Sequence, residues 1–489
     1  MMIMMMKMVM KYIEVQLENN TEQWERFESI PFGLTLNVRI FNISNPSEVV
    51  AGGVPVVTEV GPYVYKSYQS RIIEGVEGDN VMYRKKEYLE FDAETSFPLS
   101  LDDEVTVVNV AYHNILQMAE TLFPPLMALL PLALGGVFGV HNSPIMTVRV
   151  GDLLFDGIPI CKNPGFIGAV ACNQIKPLAA DVRNIDELED GSLEFSILRF
   201  KHDRPSDLYV ASRGVDDVTN LGVIRSYNGS SHLNFWVNPA TDEQGGEVPS
   251  VCNMLNGTDA GIFPPFVNRD EPLYAFNTDV CRSAELRYQY DTSYKGIPAA
   301  RFAANDWFLD NHQGCFCLNK TRGINRDDGC LLPGAIEMFS CIGALMVLSY
   351  PHFLYADFGY RNGLIGMRPD EEQHRLFVDL EPNTGTVVRG MKRAQFNVFM
   401  RPVTAIPATQ PLRTTLMPIL WVEEGMDLPD DFVDMVKNRL LANLRLVDIL
   451  VPVVIALSCL VLVLGVIILV RVKTRSPGTP HRKNIQLTN

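Results

Sequence analysis

Alternating apolar and polar positions dominate the opening third of the chain and predict β-strands. The segment LTLNVRIFNI, residues 34 to 43, alternates in this way and ends at the turn signal Asn45-Pro46. The next two segments, PVVTEVGPYVYKSY and VMYRKKEYLEF, are rich in β-branched and aromatic residues, which strands favour. We therefore predict an antiparallel sheet in this part of the chain.

The pattern changes after the acidic turn Asp102-Asp103-Glu104 and the short strand VTVVN. Between residues 105 and 140 the only charged side chain is that of Glu120. The segments AYHNILQMAETLF and PPLMALLPLALGGVF are typical of two helices, the second beginning at Pro124 and Pro125. A second membrane span is the alternative, but Pro131 and the following glycine pair interrupt it. A helical hairpin this apolar, if it faces solvent, is a binding surface or a membrane-dipping element.

Strand-like segments return in the remainder of the large region before residue 448. They begin at IMTVRVGDLLF, recur in RFKHDRPSDLYV and NLGVIRSYNG, and end in TGTVVRGMKRAQFNVFM, residues 384 to 400. We predict one mostly β domain with inserted helices, an α+β fold.

An uncharged segment near the C-terminus, ILVPVVIALSCLVLVLGVIILV at residues 449 to 470, predicts a transmembrane helix. At the helical rise it spans about 33 Å, enough for the hydrocarbon core of a bilayer. The basic side chains of Arg471, Lys473 and Arg475 follow at once and favour the cytoplasmic side. We therefore expect an extracellular or lumenal ectodomain at 12–447, a transmembrane helix at 448–471 and a cytoplasmic tail at 472–489, all at the plasma membrane.

The N-terminal sequence MMIMMMKMVM is apolar but only about ten residues long, too short to span a bilayer. We interpret residues 1–11 either as the remnant of a longer membrane segment or as the product of a misassigned start codon, and prefer the second.

Composition narrows the function classes. The chain has 489 residues, of which 47% are hydrophobic and 20% charged, so it can form a sizeable core. Its formal net charge of -15 argues against a nucleic-acid partner, because phosphate binding needs clustered basic side chains.

Cysteines and glycosylation sequons indicate the same compartment. Eight of the nine cysteines precede the predicted span, and the ninth, Cys459, lies within it. An even external set favours disulfides over zinc, since the only close pair is Cys315-Phe316-Cys317 and His312 is the only nearby imidazole. Five sequons, typical of a glycoprotein, lie on the same side of the span, at Asn19, Asn42, Asn228, Asn256 and Asn319.

Catalytic motifs are absent from the sequence, which contains no GxSxG, P-loop, HExxH or EF-hand pattern. Adjacent acid pairs such as Glu423-Glu424 and Asp430-Asp431 are more often solvated than catalytic, and His352 in SYPHFLY is more typical of a satisfied core histidine. We expect neither an enzyme nor a cofactor or metal site.

Several ordered motifs resemble the class B scavenger receptor family over nearly the whole chain. They include FNISNPSEVVAGGVPVVTEVGPYVY (41 to 65), CNMLNGTDAGIFPPF (252 to 266), LSYPHFLYA (348 to 356), DLEPNTGTVVRGMKRAQFNV and PILWVEEG. Within the family, DLLFDG (152 to 157) and DGCLLPG (328 to 334) look most like the insect sensory neuron membrane proteins.

The resemblance implies a large antiparallel β-barrel ectodomain, capped by a helical apex bundle and pierced by a hydrophobic tunnel. It also implies two membrane helices, of which this sequence matches only the C-terminal one. Three disulfides are implied, Cys252 with Cys315, Cys281 with Cys341, and Cys317 with Cys330. To these we add Cys161 with Cys172.

The function that the resemblance implies is receptor-like. Such a receptor captures lipids or fatty-acid-derived pheromones and passes them toward the membrane or an odorant receptor. A scavenger or adhesion receptor that binds lipoprotein, protein or particle ligands at its apex is the alternative. We expect the ligand to enter at the helices between residues 112 and 140, with Phe123, Met127, Leu130 and Phe138 as candidate entrance residues.

Overall fold

The computed structural model describes residues 16–236, 250–311 and 314–475. The predicted N-terminal segment 1–11 and most of the predicted tail lie outside these ranges, as does His312. The chain divides into two units, residues 1–428 and residues 429–489.

Long strands account for most of the first unit. The strands are β1 Leu34–Ile43, β2 Val57–Glu77, β3 Asn80–Phe91, β4 Glu104–Val108, β5 Ile145–Arg149, β6 Ile158–Ile160, β7 Ile185–Glu187, β8 Leu193–Phe195, β9 Tyr209–Ser212, β10 Ile224–Tyr227, β11 Leu273–Asn277, β12 Arg282–Tyr294, β13 Ile297–Ala304, β14 Ala335–Glu337, β15 Val347–Ser349, β16 Leu376–Leu380, β17 Val387–Met400 and β18 Thr415–Asp427.

Most helices of the first unit are short and connect strands. The α-helices of the chain are α1 Glu22–Glu28, α2 Pro46–Val50, α3 Ala93–Ser96, α4 Val110–Leu122, α5 Leu130–Phe138, α6 Gly165–Ala179, α7 Phe339–Ile342, α8 Phe358–Arg361, α9 Glu371–His374, α10 Asp430–Met435 and α11 Ala442–Arg475.

Thirteen strands form one large sheet with the order β10-β9-β3-β2-β1-β18-β17-β16-β13-β12-β11, and β14 and β15 attach beside β17. Each pairing in it is antiparallel, as in β1 against β18, where Val38 lies opposite Val422. The α+β class and the antiparallel sheet predicted from the sequence are therefore confirmed. The predicted strand at residues 34 to 43 has the bounds of β1.

The sheet does not close into the barrel that the resemblance implied. Among the described residues, the end strands β10 and β11 do not pair with each other. Between them runs a loop: the Ile224 N–H donates to the Gly257 carbonyl at 2.8 Å, and the Phe276 N–H donates to the Thr258 carbonyl at 2.8 Å. Gly257 has a φ of +77° and no room for a side chain, since a Cβ would lie 1.8 Å from the Tyr274 carbonyl oxygen. A loop thus stands where a closed barrel would need another strand.

The helical predictions for residues 111 to 138 hold in part. Helix α4 matches the first predicted helix, but the second is interrupted, with a 3₁₀ turn at Pro124–Leu126 and a separate start of α5 at Leu130. Residues 127–129 form a turn between these two elements, and Pro131 lies in the first turn of α5, where a missing N–H costs little. Residues 152–156 form a π-helical turn rather than the continuation of a strand.

The second unit is helical from Asp430 to Arg475. A short α10 passes through a π-helical stretch, Val436–Leu441, into the 34-residue α11. By length and composition, this is the one helix in the described part of the chain that could cross a bilayer. The predicted C-terminal membrane helix is confirmed in that sense.

Candidate functional site

Three helices, α4, α5 and α6, enclose an apolar cavity of about 300 Å³, which we call the helical groove. Among the described residues that line it, only Asn114 and Gln174 carry polar side chains. Several of its apolar side chains also face solvent, among them Phe166 with 89% exposure and Val170 with 59%. Its volume is at the lower end of the range of about 300–1,000 Å³ for small-molecule pockets. The groove can therefore hold an apolar chain but has no group that could perform chemistry.

Close backbone contact between α5 and α6 holds one side of the groove. A Cβ on Gly136 would lie 2.2 Å from the Pro164 carbonyl oxygen, so only glycine fits this crossing. The Cys161–Cys172 disulfide ties the segment before α6 to the middle of that helix, and the Cys161 N–H donates to the Val137 carbonyl at 2.7 Å. The groove wall is therefore fastened both covalently and by packing.

The predicted entrance residues fall in two environments. Phe123, Met127 and Leu130 line the groove, with Met127 almost completely buried at 6% exposure. Phe138 does not line it and instead packs against the Tyr112 ring, with 5.2 Å between ring centroids. The structure thus gathers three of the four at one cavity and places the fourth in the core.

A larger cavity, of about 720 Å³, lies against the inner side of the large sheet. Val182 and Ile185, which follow α6, line both this cavity and the helical groove. A third, small cavity of about 50 Å³ shares Lys201, Asp279, Lys392 and Glu424 with the large one. The three cavities therefore have neighbouring walls.

A buried ion pair fixes the loop between β10 and β11 at the edge of the large cavity. The Arg71 guanidinium donates to Asp259 Oδ2 through Nε at 3.1 Å and Nη2 at 2.7 Å, and the Tyr83 hydroxyl donates to the same oxygen at 3.1 Å. Burial alone would raise the pKa of Asp259, but the Arg71 and Lys85 charges hold it well below its usual value. The carboxylate is therefore ionised and orders the loop rather than titrating near neutral pH.

His113, at the start of α4, is completely buried in its neutral form. Its Nε2 lies 3.2 Å from the Pro144 carbonyl oxygen, to which the ring N–H donates. Burial lowers the pKa of His113 to about 4, against the opposing effect of that hydrogen bond.

His352 is the satisfied core histidine that the sequence favoured. Its Nε2 lies 2.6 Å from Glu59 Oε2, its Nδ1 accepts the Arg368 N–H, and its ring stacks on that of His374 at 4.6 Å between centroids. The Trp421 indole N–H donates to the same Glu59 oxygen at 2.8 Å. Every polar atom of the His352 ring has a partner, which fits a structural role.

Comparison with known proteins decides the family. The family model described as "CD36 family" matches residues 1–469. Sensory neuron membrane protein 2 of Drosophila melanogaster is 33% identical over 500 residues, covering 90% of this chain and 89% of that protein. The chain belongs to the CD36 family. The protein of the same name from Aedes aegypti is 32% identical, with 90% of each chain covered, and sensory neuron membrane protein 1 of Pediculus humanus subsp. corporis is 31% identical over 95% of this chain and 87% of its own.

Membership of the CD36 family identifies a membrane receptor of the class B scavenger type, and the C-terminal apolar helix supports its membrane location. Among the described residues, no group of three or more His, Cys, Asp or Glu side chains could hold a metal ion.

The eight cysteines that precede the C-terminal apolar helix of this CD36-family chain form four disulfides. The pairs are Cys161–Cys172, Cys252–Cys315, Cys281–Cys341 and Cys317–Cys330, the same pairs that the sequence analysis gives. Cys459 has a free thiol.

The five sequon asparagines differ in exposure. Asn19, Asn228 and Asn319 are exposed, whereas Asn42 and Asn256 are only half-exposed. Asn42 lies in β1 and its Oδ1 accepts the Thr106 N–H at 2.8 Å, which occupies the side chain that a glycan would modify.

Sequence reasoning missed the charged side chains on the inner wall of the sheet. It classed Glu423-Glu424 as a solvated pair, but Glu423 accepts from Arg393 Nε at 2.6 Å, and Glu424 lies 2.9 Å from Lys392 Nζ on the cavity wall. Successive residues of a strand point to opposite faces, so one of two adjacent acids in a sheet with one covered face must point inward. The alternating direction of side chains along β18 was therefore the signal that could have placed one of these two acids on the cavity side.

Proposed function

We propose that this receptor captures hydrophobic ligands, such as lipids or fatty-acid-derived pheromones and odorants, in the helical groove. The ligand then passes through the large cavity toward the membrane or an odorant receptor. The observation that carries the proposal is an almost wholly apolar groove whose walls at Val182 and Ile185 also line the larger cavity.

Physical chemistry supports capture without catalysis. Each methylene group that moves from water into the groove gains about 0.8 kcal/mol. A chain of about twelve carbons therefore gains on the order of 10 kcal/mol before ordering costs. The exposed ring of Phe166 gives such a chain an apolar surface to meet first.

The proposed topology follows from the span and its flanking charges. The ectodomain at 12–447 lies outside the cell, the helix at 448–471 crosses the plasma membrane, and the tail at 472–489 is cytoplasmic. Four disulfides in the ectodomain fit an oxidising compartment, and basic side chains after the span fit the cytoplasmic side.

A matched pair of substitutions tests the groove. Val170→Glu places a charge on the groove wall, whereas Val140→Glu places the same charge at a residue that is 93% exposed and does not line the groove. With both variants at normal cell-surface levels, we expect binding of a fluorescent fatty-chain probe to fall on the order of tenfold for Val170→Glu alone. Equal binding by both variants would contradict capture in the groove, and loss through Val140→Glu alone would favour a scavenger receptor that binds at the outer surface.

A further inference from the structure

Four charged side chains form one wall between the large and the small cavity, and we call them the charge cluster: Lys201, Asp279, Lys392 and Glu424. Lys392 Nζ lies 2.8 Å from Asp279 Oδ2 and 2.9 Å from Glu424 Oε2, and Lys201 Nζ lies 3.1 Å from the same Asp279 oxygen. Lys392 and Glu424 are paired across β17 and β18. The other two come from turns far away in sequence, so the fold itself assembles the cluster.

All four side chains of the charge cluster are ionised. Burial opposes each charge, but the Lys392 and Lys201 ammonium groups lower the pKa of Glu424 to about 2. The same ammonium groups hold the pKa of Asp279 well below its usual value. Asp279 in turn raises the pKa of both lysines above the ordinary lysine value. Mutual pairing therefore keeps fixed charges in the wall between the two cavities.

The charges around this wall balance. Two further groups belong to the neighbourhood: Glu87, whose Oε2 lies 3.4 Å from Lys201 Nζ, and Arg183, which lines both cavities and helps to lower the pKa of Asp279. Three basic groups thus face three acidic ones. The whole lining of the large cavity shows the same balance, with seven basic and seven acidic side chains. An incoming anion would therefore meet no net positive charge on the lining of the large cavity.

The two lysines of the charge cluster can nevertheless donate further hydrogen bonds. A lysine ammonium carries three N–H donors. The described residues supply two carboxylate partners for each lysine of the cluster, Asp279 and Glu87 for Lys201, and Asp279 and Glu424 for Lys392. One donor of each lysine is therefore available to a group that enters the cavity.

We infer that the charge cluster is a headgroup site that takes the uncharged polar end of a lipid, a hydroxyl, aldehyde or ester group. This inference rests on the proposed function. A carbonyl or hydroxyl oxygen accepts a lysine N–H, and a hydroxyl can also donate to Asp279 or Glu424. The attached chain lies against apolar side chains of the same cavity such as Phe200, Phe377 and Met426. An ionised fatty acid would lose its hydration without gaining a counter-charge, so the site disfavours it.

Changing the net charge of the charge cluster should change the affinity for a fatty acid relative to that for a fatty alcohol. Glu424→Gln leaves the cluster with one excess positive charge, and we expect the affinity for a fatty acid relative to the fatty alcohol of equal length to rise on the order of tenfold. Lys392→Gln leaves one excess negative charge and should shift the same ratio in the opposite direction.

Asp427→Asn is the matched control. It removes one carboxylate from an ion pair across the same two strands, Arg389 with Asp427 at 3.1 Å, and neither of these residues lines the large or the small cavity. The acid-to-alcohol ratio should stay at the wild-type value in this variant.

The experiment uses the full chain in lipid nanodiscs at neutral pH. A fluorescent fatty-chain probe is displaced by a fatty alcohol and by the fatty acid of the same length. A ratio that moves in opposite directions for Glu424→Gln and Lys392→Gln, and stays constant for Asp427→Asn, supports the headgroup site. If either Glu424→Gln or Lys392→Gln fails to fold, the direction of the ratio change in the other variant still tests the headgroup site. Displacement with an unchanged ratio in all variants overturns the headgroup site alone, whereas failure of the wild-type chain to bind the probe overturns the proposed function as well.

Discussion

Gly136 and Gly168 lie backbone to backbone where α5 and α6 cross, so that a Cβ on Gly168 would lie 2.9 Å from the Gly136 Cα. The crossing sets the distance between two of the helices that enclose the groove. A side chain at either position must separate them and change the shape of the groove.

Gly136→Ala should therefore destabilise the protein by about 1–3 kcal/mol, because the added methyl group overpacks the crossing. Gly135→Ala is the control, since the nearest atom to its Cβ would be 4.0 Å away, and alanine in a helix gains about 1 kcal/mol over glycine. Thermal unfolding of the full chain in detergent compares the two. Equal melting temperatures would show that the helices do not depend on this contact.

The buried histidine His113 predicts a loss of stability in mild acid. Its pKa of about 4 lies below the value of about 6.5 in an unfolded chain, so the unfolded state binds more protons between these values. This contribution is fully present above about pH 6.5 and is lost as the pH falls toward 4. His113→Asn should flatten the decline of the melting temperature across this window, at the cost of lower stability at neutral pH.

The exposed His232 provides the control for that titration. His232→Asn should leave both the slope and the neutral-pH melting temperature unchanged. If the melting temperature declines with falling pH at the same rate in the wild type, His113→Asn and His232→Asn, His113 is not the source of that decline.

The Cys161–Cys172 disulfide closes a short loop, with a sequence separation of 11 residues. Replacing both cysteines with serine should destabilise the protein by about 3 kcal/mol in the chain-entropy model. The matched comparison is Cys317 with Cys330, separated by 13 residues and outside the three helices that enclose the groove. Both double variants should lose similar stability, but only the first should also weaken ligand binding, which a displacement assay measures.

Glycosylation should follow the exposure of the asparagine side chains. We expect glycans at Asn19, Asn228 and Asn319, and the lowest occupancy at Asn42, whose side chain is bonded within the sheet. Single Asn→Gln changes followed by gel mobility, before and after enzymatic removal of N-glycans, test each site. Mobility that never responds to the enzyme would contradict the extracellular assignment.

Local patterns predicted the parts of the fold that local forces determine. The alternation of residues 34 to 43 gave β1 because its apolar side chains from Leu36 to Ile43 are buried, and the uncharged run before Arg471 gave the membrane helix. The break in the second groove helix was less accessible, since it falls at residues 127–129, where the apolar run continues without a glycine or proline.

The inner wall of the sheet lay beyond the sequence for a different reason. Lys392 and Glu424 meet only because β17 and β18 pair in one register, and Lys201 and Asp279 reach them from turns whose positions depend on the whole fold. Charged residues on a strand are ordinarily solvated, so local pattern placed them on the outside. The groove residues Phe123, Met127 and Leu130 could be predicted because an apolar stretch with a single charge is unusual by itself. Phe138 belongs to the same stretch, but it packs in the core against Tyr112.

Covalent mapping of a bound chain tests the central claim most directly. A long-chain fatty probe that carries a photoactivatable diazirine is bound to the full-length protein in nanodiscs. Light activates the diazirine, and peptide mass spectrometry then locates the labelled residues. Capture in the helical groove predicts adducts in residues 110–134 and 166–185, displaced by excess unlabelled ligand and reduced in Val170→Glu but not in Val140→Glu. Displaceable adducts that fall elsewhere in the ectodomain, with both groove segments unlabelled, would contradict the account.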